Sequence, residues 1–243
     1  MHKFKKTEIK KQEERFLPVL KDWVSALSFR MKKLVLLPNV LHEESTWSFM
    51  PPKIDALIAE SEKGGRQFLK RFHLAPCPIY LLNEHTKDPD KLVRIPEEIV
   101  GLISDAGLAC LADPGAHVVA AARRSGISID SIPGPSSLML ALQLSGFSGQ
   151  AFTFHGYFPR EEKELALILK RLEVKKTHLF IETPYRTQKL FELLLKFLPE
   201  SASLCVAFEL MGPAECVRTE TVRNWKKSGI SFPKGRAVFV ISI

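Results

Sequence analysis

Apolar and polar positions alternate along the chain in blocks that predict short strands separated by helices. Short apolar or β-branched runs bounded by turn residues are typical of buried strands. In the first half of the chain these runs are 33–37, 79–82, 99–103 and 127–132, with helical patterns over 54–71 and 115–125. After the last run, Ser136 or Ser137 is predicted to cap a helix that continues through Leu144. Such an alternation favours the α/β class with a doubly wound parallel sheet.

The second half of the chain repeats these signals after a short polar linker, Ser145-Gly146-Phe147-Ser148-Gly149-Gln150. Leucine and isoleucine residues three and four positions apart predict helices here. The helical stripes are Leu165, Ile168, Leu169 and Leu172, then Leu190, Leu194 and Leu198, and the strand-like runs are 151–155, 178–182, 203–208 and 236–242. We therefore predict two α/β domains, a doubly wound one over 31–149 and a mixed one over 150–243.

Residues 1–30 differ in character from the rest and are predicted to form a basic N-terminal extension. They carry eight Lys and Arg residues against four Asp and Glu. Apolar residues from Phe16 to Leu27 recur at three- and four-residue steps, which predicts an amphipathic helix. Met31 directly precedes the first predicted strand. The segment is either an appendage to the functional chain or a basic arm that grips RNA.

Composition limits the partners and the compartment. The 243 residues carry a net charge of +8, which favours a polyanionic partner, nucleic acid above all, and the alternative is simply a basic surface. The four cysteines are Cys77, Cys110, Cys205 and Cys216, and three of them lie in or beside apolar runs, where a cysteine is usually buried. Because they form no C-x-x-C pair, we expect a reducing compartment, no disulfide framework and no metal site. No apolar run approaches the roughly 20 residues of a membrane span, and we expect a cytoplasmic protein.

The turn that follows the run 99–103 is the strongest candidate for chemistry. Ser104-Asp105-Ala106-Gly107 comes directly after a predicted strand, and Asp113-Pro114-Gly115 follows it. Ligands of α/β sheets bind at the carboxyl ends of strands, and small residues let a ligand approach the backbone. Asp105 can accept hydrogen bonds from hydroxyl or amino groups. Asp113 followed by proline predicts the N-cap of a helix.

Several common nucleotide-binding and hydrolase motifs are missing from the sequence. It contains no G-x-G-x-x-G after the first predicted strand, no G-x-x-x-x-G-K-[ST] and no G-x-S-x-G. These absences argue against an NAD-binding Rossmann domain, a P-loop NTPase and an α/β-hydrolase. They also argue against the common methyltransferase fold, which relies on a glycine-rich turn after its first strand.

Four sequence blocks in order resemble the tetrapyrrole-methylase superfamily of S-adenosylmethionine-dependent methyltransferases. The blocks are Ser104-Asp105-Ala106-Gly107 with Asp113-Pro114-Gly115, Pro133-Gly134-Pro135-Ser136, Phe154-His155-Gly156-Tyr157-Phe158-Pro159, and Glu182-Thr183-Pro184-Tyr185-Arg186. The chain looks most like the RsmI-like branch, which methylates the ribose 2′-hydroxyl of a cytidine in small-subunit ribosomal RNA. The resemblance runs from about residue 31 to the C-terminus. The chain departs from that branch where Leu37-Pro38-Asn39-Val40-Leu41-His42 stands for T-P-I-G-N-L and Glu60-Ser61-Glu62-Lys63 for E-D-T-R.

The resemblance implies a two-domain tetrapyrrole-methylase-like fold that binds S-adenosylmethionine, acts on RNA and forms a homodimer. A carboxylate and backbone amides suit the ribose diol and the amino-acid zwitterion of this cofactor, and apolar side chains suit its adenine. The cofactor contacts it implies are Pro38, Ser104, Asp105, Leu108, Ser136, Ser137, Glu182, Leu210 and Met211.

No catalytic residue follows from the resemblance, and the alternatives stay open. His155 is either a general base for a hydroxyl or a structural histidine, and Arg160 and Arg186 either hold phosphates or are solvated surface residues. The alternative functions are methylation of a tetrapyrrole or another small molecule, and a catalytically inactive module that binds S-adenosylmethionine or RNA.

Overall fold

A computed structural model of the chain describes residues 31–243, so the helix predicted within 1–30 lies outside the described residues. The described chain forms two compact units, the first made of 31–38 and 49–133 and the second of 39–48 and 134–243. This division after Pro133 differs from the boundary predicted at 149. The difference arises because the helix Ser137–Ser145 packs on strands of the second unit.

The first unit contains a five-stranded sheet in which all strands are parallel. The strand order is β3-β2-β4-β1-β5, so β4 lies between β2 and β1. Its elements are β1 (Lys33–Leu36), β2 (Ala56–Ala59), α1 (Glu62–Arg71), β3 (Ile79–Leu81), a 3₁₀ turn (Pro89–Val93), β4 (Ile99–Leu102), α2 (Gly115–Arg124) and β5 (Ser128–Ser131). From β1 the chain passes to β2 and β3 on one side, returns to β4 between β2 and β1, and then crosses to β5 on the other side, which confirms the predicted doubly wound sheet.

Two local predictions in this unit are wrong. The helix predicted over 54–71 is a strand, β2, followed by α1, because a four-residue apolar run buried on both faces carries no periodicity that distinguishes strand from helix. Ser61 ends the strand segment and caps α1, its Oγ accepting from Gly64 N at 3.0 Å. Asp113 is not the N-cap of α2; Pro114 holds that position, and Asp113 Oδ1 accepts from Gly115 N at 2.7 Å.

The core of the first unit forms where the central strands meet α2. Buried side chains of β1, β2 and β4 contact Val118, Ala121 and Ala122 of that helix. On β4 the glycine Gly101 faces other apolar side chains, and a Cβ there would lie 2.8 Å from Leu37 Cδ1 and 3.1 Å from Leu57 Cδ1. The absence of a side chain at residue 101 therefore leaves the room that these leucines fill.

The second unit contains a mixed five-stranded sheet, as predicted. The strand order is β6-β7-β10-β8-β9, with β6 and β7 parallel and the other pairs antiparallel. Its elements are α3 (Ser137–Ser145), β6 (Phe152–Tyr157), α4 (Glu162–Lys170), β7 (Thr177–Glu182), α5 (Thr187–Phe197), β8 (Ser203–Phe208), β9 (Cys216–Thr221), α6 (Val222–Ser228) and β10 (Ala237–Ser242). The edge strand β9 and the short helix α6 were not predicted from the sequence.

The central strands of the second sheet are buried on both faces. Leu179 and Val240 pack toward α3, whereas Phe180 and Phe239 pack toward the layer that contains α4, α5 and α6. Strands covered on both faces are apolar at nearly every position, which is why the runs 178–182, 203–208 and 236–242 were visible in the sequence. None of the helices over residues 31–243 has the length and apolarity that a membrane span requires.

We predict that Gly101→Ala lowers the free energy of unfolding by about 1–3 kcal/mol, because the added methyl overpacks the space filled by Leu37 and Leu57. Urea unfolding followed by circular dichroism measures the loss. Gly149→Ala is the matched control, since its nearest contact would be Leu142 Cδ2 at 3.5 Å. Equal stability of the two variants would contradict this explanation of Gly101.

Candidate functional site

The predicted residues of the first unit lie at one edge of the parallel sheet. Pro38 follows β1, and Ser104 and Asp105 follow β4, the neighbouring strand. Glu60 follows β2 on the other side of β4. The chain leaves β1 and β4 in opposite directions, so this edge is the topological switch point at which α/β sheets bind ligands.

Glu60 joins the ends of β2 and β4 and is the residue that the sequence reasoning missed. Its Oε1 accepts a hydrogen bond from Ser104 Oγ at 2.8 Å and another from Asp105 N at 2.9 Å. One carboxylate oxygen thereby orients the whole Ser104-Asp105 turn. The sequence offered two signals, its position directly after an apolar run and its match to the first residue of the E-D-T-R block, but the predicted helix over 54–71 concealed the end of the strand.

Asp105 lies against the first turn of α1. A Cβ on Gly64 would lie 2.7 Å from Asp105 Oδ1, so the glycine permits this close approach. The Asp105 side chain is exposed to solvent at the same time, and its carboxylate therefore faces both the positive end of the helix dipole and the open edge of the sheet. The arrangement orients a negative charge without burying it.

An open cavity of about 670 Å³ is present at this edge. Carboxylates predominate in its lining, which includes Glu60, Glu84, Asp105 and Asp113 together with Asn83 and His85. Four carboxylates favour ligands that present ammonium, other cationic or hydroxyl groups, and they repel phosphates. The cavity therefore suits a small cationic ligand rather than the backbone of a nucleic acid.

Asp113 adds an incompletely satisfied carboxylate to this cavity. Its Oδ1 accepts from Cys110 N at 3.0 Å and from Gly115 N, whereas its Oδ2 is buried without a hydrogen-bond partner among residues 31–243. Burial raises the pKa of Asp113, the backbone N–H groups of Gly115, Cys110 and Leu111 oppose that shift, and the negative charge of Glu60 adds to it. A cationic or hydroxyl-bearing ligand would relieve this cost.

The loop between β4 and α2 contains the predicted contact Leu108 and has a strained backbone. Gly107 has a φ of 74°, and the non-glycine residues Cys110 and Ala112 have φ of 71° and 66°. Left-handed non-glycine residues are costly and concentrate at functional sites. Leu108 itself is half-buried, within a loop whose shape is set by this backbone and by the Asp113 hydrogen bonds.

In the second unit, Leu210 and Met211 lie at the same sheet edge as Glu182. Glu182 ends β7, the loop 209–211 follows β8, and the strand between them, β10, begins at this edge because it is antiparallel to both. Leu210 is already buried in the core beside α3, with Met211 packed against it, so Leu210 offers little surface to a ligand. Met211 has a φ of 61° and Glu209 one of 46°, a second strained loop.

The loop 209–211 is tied to the segment that follows Pro38. His42 Nε2 lies 3.3 Å from Glu209 Oε2, and Arg236 Nη1 donates to the carbonyl oxygen of Leu41. Glu209 also accepts from the backbone N–H of Arg236. Sequence reasoning assigned no role to His42, Glu209 or Arg236, because the pairs His42–Glu209 and Leu41–Arg236 join positions more than 160 residues apart.

Ser136 and Ser137 begin helix α3. Ser136 Oγ accepts from Met139 N at 3.5 Å, which confirms the predicted cap, and the hydroxyl is buried. Ser137 is the first helical residue. Leu138 packs in the same core cluster as Leu210, so the structure brings the start of α3 and the loop 209–211 together.

Glu182 is a buried carboxylate with protein partners. Its Oε1 accepts from Thr183 N at 2.7 Å and from Thr183 Oγ1 at 3.1 Å. Its Oε2 makes no well-aligned hydrogen bond within 31–243, but it lies 3.2 Å from Arg186 Nη1 in an ion pair. Arg186 therefore supplies the partner that a buried carboxylate needs, and a contact between Glu182 and a cofactor stays a prediction.

His155 forms a pair with a buried second histidine. Its Nε2 lies 2.9 Å from His178 Nδ1, and the other nitrogen of His178 lies 3.0 Å from the carbonyl oxygen of Glu173. Because a carbonyl oxygen can only accept a hydrogen bond, neutral His178 donates to Glu173 O through its Nε2. Its Nδ1 then accepts from His155 Nε2, which leaves His155 Nδ1 with a lone pair. The His155 ring also stacks on Phe180 with 4.4 Å between centroids. Burial, and then the charge of His178, lower the pKa of His155.

Among the residues that the structure describes, no group of three or more His, Cys, Asp and Glu side chains is arranged to hold a metal ion.

Arg160 follows the block that contains His155, and the carbonyl oxygen of Pro159 accepts a 3.2 Å hydrogen bond from Arg186 Nη2. The turns after β6 and β7 are thereby joined through one guanidinium group.

Comparisons with known proteins place this chain among methyltransferase sequences and folds. The sequence model of the family "Tetrapyrrole (Corrin/Porphyrin) Methylases" matches residues 83–223. The "Ribosomal RNA small subunit methyltransferase I" of Leptospira borgpetersenii serovar Hardjo-bovis is 32% identical over 197 residues, which cover 77% of each chain. The protein of that name from Vibrio cholerae is 26% identical over 170 residues, 68% of this chain and 59% of its own length. The chain thus spans about three fifths of the Vibrio protein.

A solved structure shares the fold at low sequence identity. Uroporphyrin-III-C-methyltransferase from Thermus thermophilus superposes with a TM-score of 0.53 at 18% identity, over 87% of this chain and 94% of that one. At this identity the likeness establishes the α/β two-domain fold predicted from the sequence.

We predict that Glu60→Ala loosens the Ser104-Asp105 turn, because Ser104 Oγ and Asp105 N lose their common acceptor at a cost of about 1–3 kcal/mol. Hydrogen–deuterium exchange of peptides that cover 103–108 should become faster. Glu62→Ala is the control, since that exposed carboxylate only pairs with Arg66. The assigned role of Glu60 is contradicted if both variants exchange alike.

We predict a pH dependence from the histidine pair. His155 should titrate below its ordinary value of 6.5, so the unfolded chain binds its proton more tightly than the folded protein does. The contribution of this histidine to the free energy of unfolding is therefore complete above a pH of 6.5 and is lost as the pH falls below 6.5. Imidazole NMR should show a low-pKa ring that disappears in His155→Gln and persists in His85→Gln. A pKa of His155 at or above 6.5 would exclude the pairing described.

Proposed function

Because the chain belongs to the tetrapyrrole (corrin/porphyrin) methylase family, we propose that it is an S-adenosylmethionine-dependent methyltransferase whose acceptor is a ribose 2′-hydroxyl of ribosomal RNA. The observation that carries the proposal is the similarity to a ribosomal RNA small subunit methyltransferase over 77% of both chains. The net charge of +8 supports a polyanionic acceptor. A tetrapyrrole acceptor is supported by the description of the family and by a structural neighbour at 18% identity.

The acidic edge of the first unit has the chemistry that this cofactor requires. Four carboxylates line the cavity, Asp113 Oδ2 is buried without a hydrogen-bond partner within the described residues, and Gly64 leaves room for Asp105. S-adenosylmethionine carries a sulfonium, an ammonium and a ribose diol, each of which a carboxylate can contact favourably. We assign Pro38, Ser104, Asp105 and Leu108 to this subsite, with Glu60 holding the turn.

The remaining predicted contacts lie in the second unit. Ser136, Ser137, Glu182, Leu210 and Met211 lie at the start of α3 and at the ends of β7 and β8. Backbone groups of the strained loop 209–211 offer polar contacts, and Met211 offers an apolar one. The Glu182 carboxylate would act through the Thr183 and Arg186 that it orients.

When bound beside Ser104, Asp105 and Leu108, S-adenosylmethionine would supply an electrophilic methyl group for in-line transfer to an acceptor oxygen, with S-adenosylhomocysteine as the leaving group. The work of the chain is then to hold donor and acceptor in position and to keep the charge of the donor compensated. The Asp105 carboxylate, placed by Glu60 and Gly64, provides that compensation. No side chain is assigned as the base that removes the hydroxyl proton. We further propose a cytoplasmic homodimer, in keeping with an RNA acceptor.

Calorimetric titration with S-adenosylhomocysteine tests the cofactor assignment without turnover. We expect the wild-type protein to bind it and Asp105→Ala to bind at least about ten-fold more weakly, because a charge-assisted hydrogen bond is lost. Asp90→Ala is the control, since that exposed carboxylate pairs only with Arg124. A folded wild-type protein that does not bind S-adenosylhomocysteine would refute the proposed function.

A further inference from the structure

Tyr185 is a large aromatic side chain that the protein leaves in solvent. It lies in the turn Glu182–Arg186 between β7 and α5, and 79% of its surface is exposed. The Lys234 ammonium lies 3.7 Å from the centre of its ring. The ammonium group lies over the ring and the side chain is otherwise largely exposed, so most of the aromatic surface is available to a further partner.

The backbone that carries this ring is held from several sides. Arg186 N donates to Thr183 O at 3.0 Å within the turn, and Gly235 N donates to Pro184 O at 3.2 Å. The buried Thr187 Oγ1 donates to Gly235 O at 2.6 Å. The loop with Lys234 is therefore joined to the turn with Tyr185 by a backbone hydrogen bond and to the start of α5 by the Thr187 hydroxyl. A platform ordered in advance loses little conformational entropy when a partner binds.

The charge around Tyr185 is positive at the surface. Lys234 covers the ring, Arg160 follows the Pro159 that Arg186 contacts, and the nearest carboxylate of the turn, Glu182, is buried and neutralised by Arg186. Glu161, next to Arg160, is the acidic residue nearest in sequence on that side. An exposed aromatic ring with cations beside it matches the way single-stranded nucleic acids are bound, by base stacking and phosphate contact.

We propose that Tyr185 and Lys234 form a stacking platform for an unpaired base of the acceptor RNA, with the Lys234 ammonium contacting an adjacent phosphate. This inference rests on the proposed function, because it assigns where the RNA acceptor is held. It requires an unpaired base, since the faces of bases inside a duplex are covered by their neighbours. The platform recognises stacking surface and charge, so it adds affinity without selecting a base.

The test measures RNA binding by the full chain without any cofactor. The probe is a fluorescein-labelled single-stranded oligouridine of about 12 residues, a length within reported site sizes, followed by fluorescence anisotropy at low salt. Tyr185→Ala should weaken binding by about ten-fold or more, whereas Tyr185→Phe should stay within about two-fold of the wild type. Lys234→Ala should weaken binding and reduce the slope of log affinity against log salt by about 0.7.

Tyr157→Ala is the matched control, because this tyrosine of the same unit is 55% exposed and belongs to no proposed site. It should leave the affinity within about two-fold of the wild type, because substitutions of surface residues outside a binding site have small energetic effects. An annealed duplex should be bound more weakly than the single strand and should not distinguish Tyr185→Ala from the wild type. Cross-linking with a 4-thiouridine oligonucleotide should modify Tyr185 or its neighbours.

Four results would overturn the proposal. The first two are that the wild type does not bind the oligonucleotide, or that Tyr185→Ala and Tyr157→Ala weaken binding equally. The other two are that Tyr185→Phe loses as much affinity as Tyr185→Ala, or that light scattering shows a change in oligomeric state that explains the loss. Titration of the same proteins with S-adenosylhomocysteine distinguishes failure of the stacking platform from failure of the proposed function. If the cofactor binds and RNA binding ignores Tyr185, the platform is refuted and the methyltransferase assignment stands. If the cofactor does not bind, the function fails, whatever the RNA result.

Discussion

The arrangement of the first unit depends on one carboxylate that joins the ends of two strands. Glu60 Oε1 accepts from both Ser104 Oγ and Asp105 N, so the turn after β4 is oriented by the residue after β2. This contact exists only because the strand order places β4 beside β2. With the turn held, the Asp105 carboxylate meets the first turn of α1 at Gly64, and the strained loop through Cys110 and Ala112 follows.

The two units present opposite chemistry. The cavity at the switch point of the first sheet is acidic, which favours a cationic ligand and repels phosphate. The exposed turn around Tyr185 in the second unit carries Lys234 and has its one carboxylate buried in an ion pair. A methyl donor with a sulfonium charge and a polyanionic acceptor are each matched by a different one of these surfaces.

Sequence patterns predicted the elements whose signal is local and missed those that tertiary contacts decide. The turn Ser104-Asp105 and the cap Ser136 were visible because small, acidic and hydroxyl residues follow apolar runs. The strand β2 was hidden because a buried four-residue run next to a helix has no period of its own. The role of Glu60, and the contact of Glu209 with His42, depend on strand order and chain return, which no short window of sequence contains.

The residues of the block Glu182-Thr183-Pro184-Tyr185-Arg186 have different roles. Glu182, Thr183 and Arg186 satisfy one another, and Pro184 offers its carbonyl to Gly235. These contacts explain four of the five positions by structure alone. The remaining side chain, Tyr185, contacts Lys234 and leaves 79% of its surface exposed, and it is therefore the position at which we place a partner.

The measurement that tests the account most directly is transfer of a tritiated methyl group from S-adenosylmethionine to small-subunit ribosomal RNA, followed by alkaline hydrolysis. We predict that the label appears in an alkali-resistant dinucleotide, because a methylated 2′-oxygen cannot attack the adjacent phosphate. Asp105→Ala should abolish the labelling, whereas Asp90→Ala should retain it. Label confined to mononucleotides, or no label with a protein that binds S-adenosylhomocysteine, would contradict the assignment of a ribose acceptor.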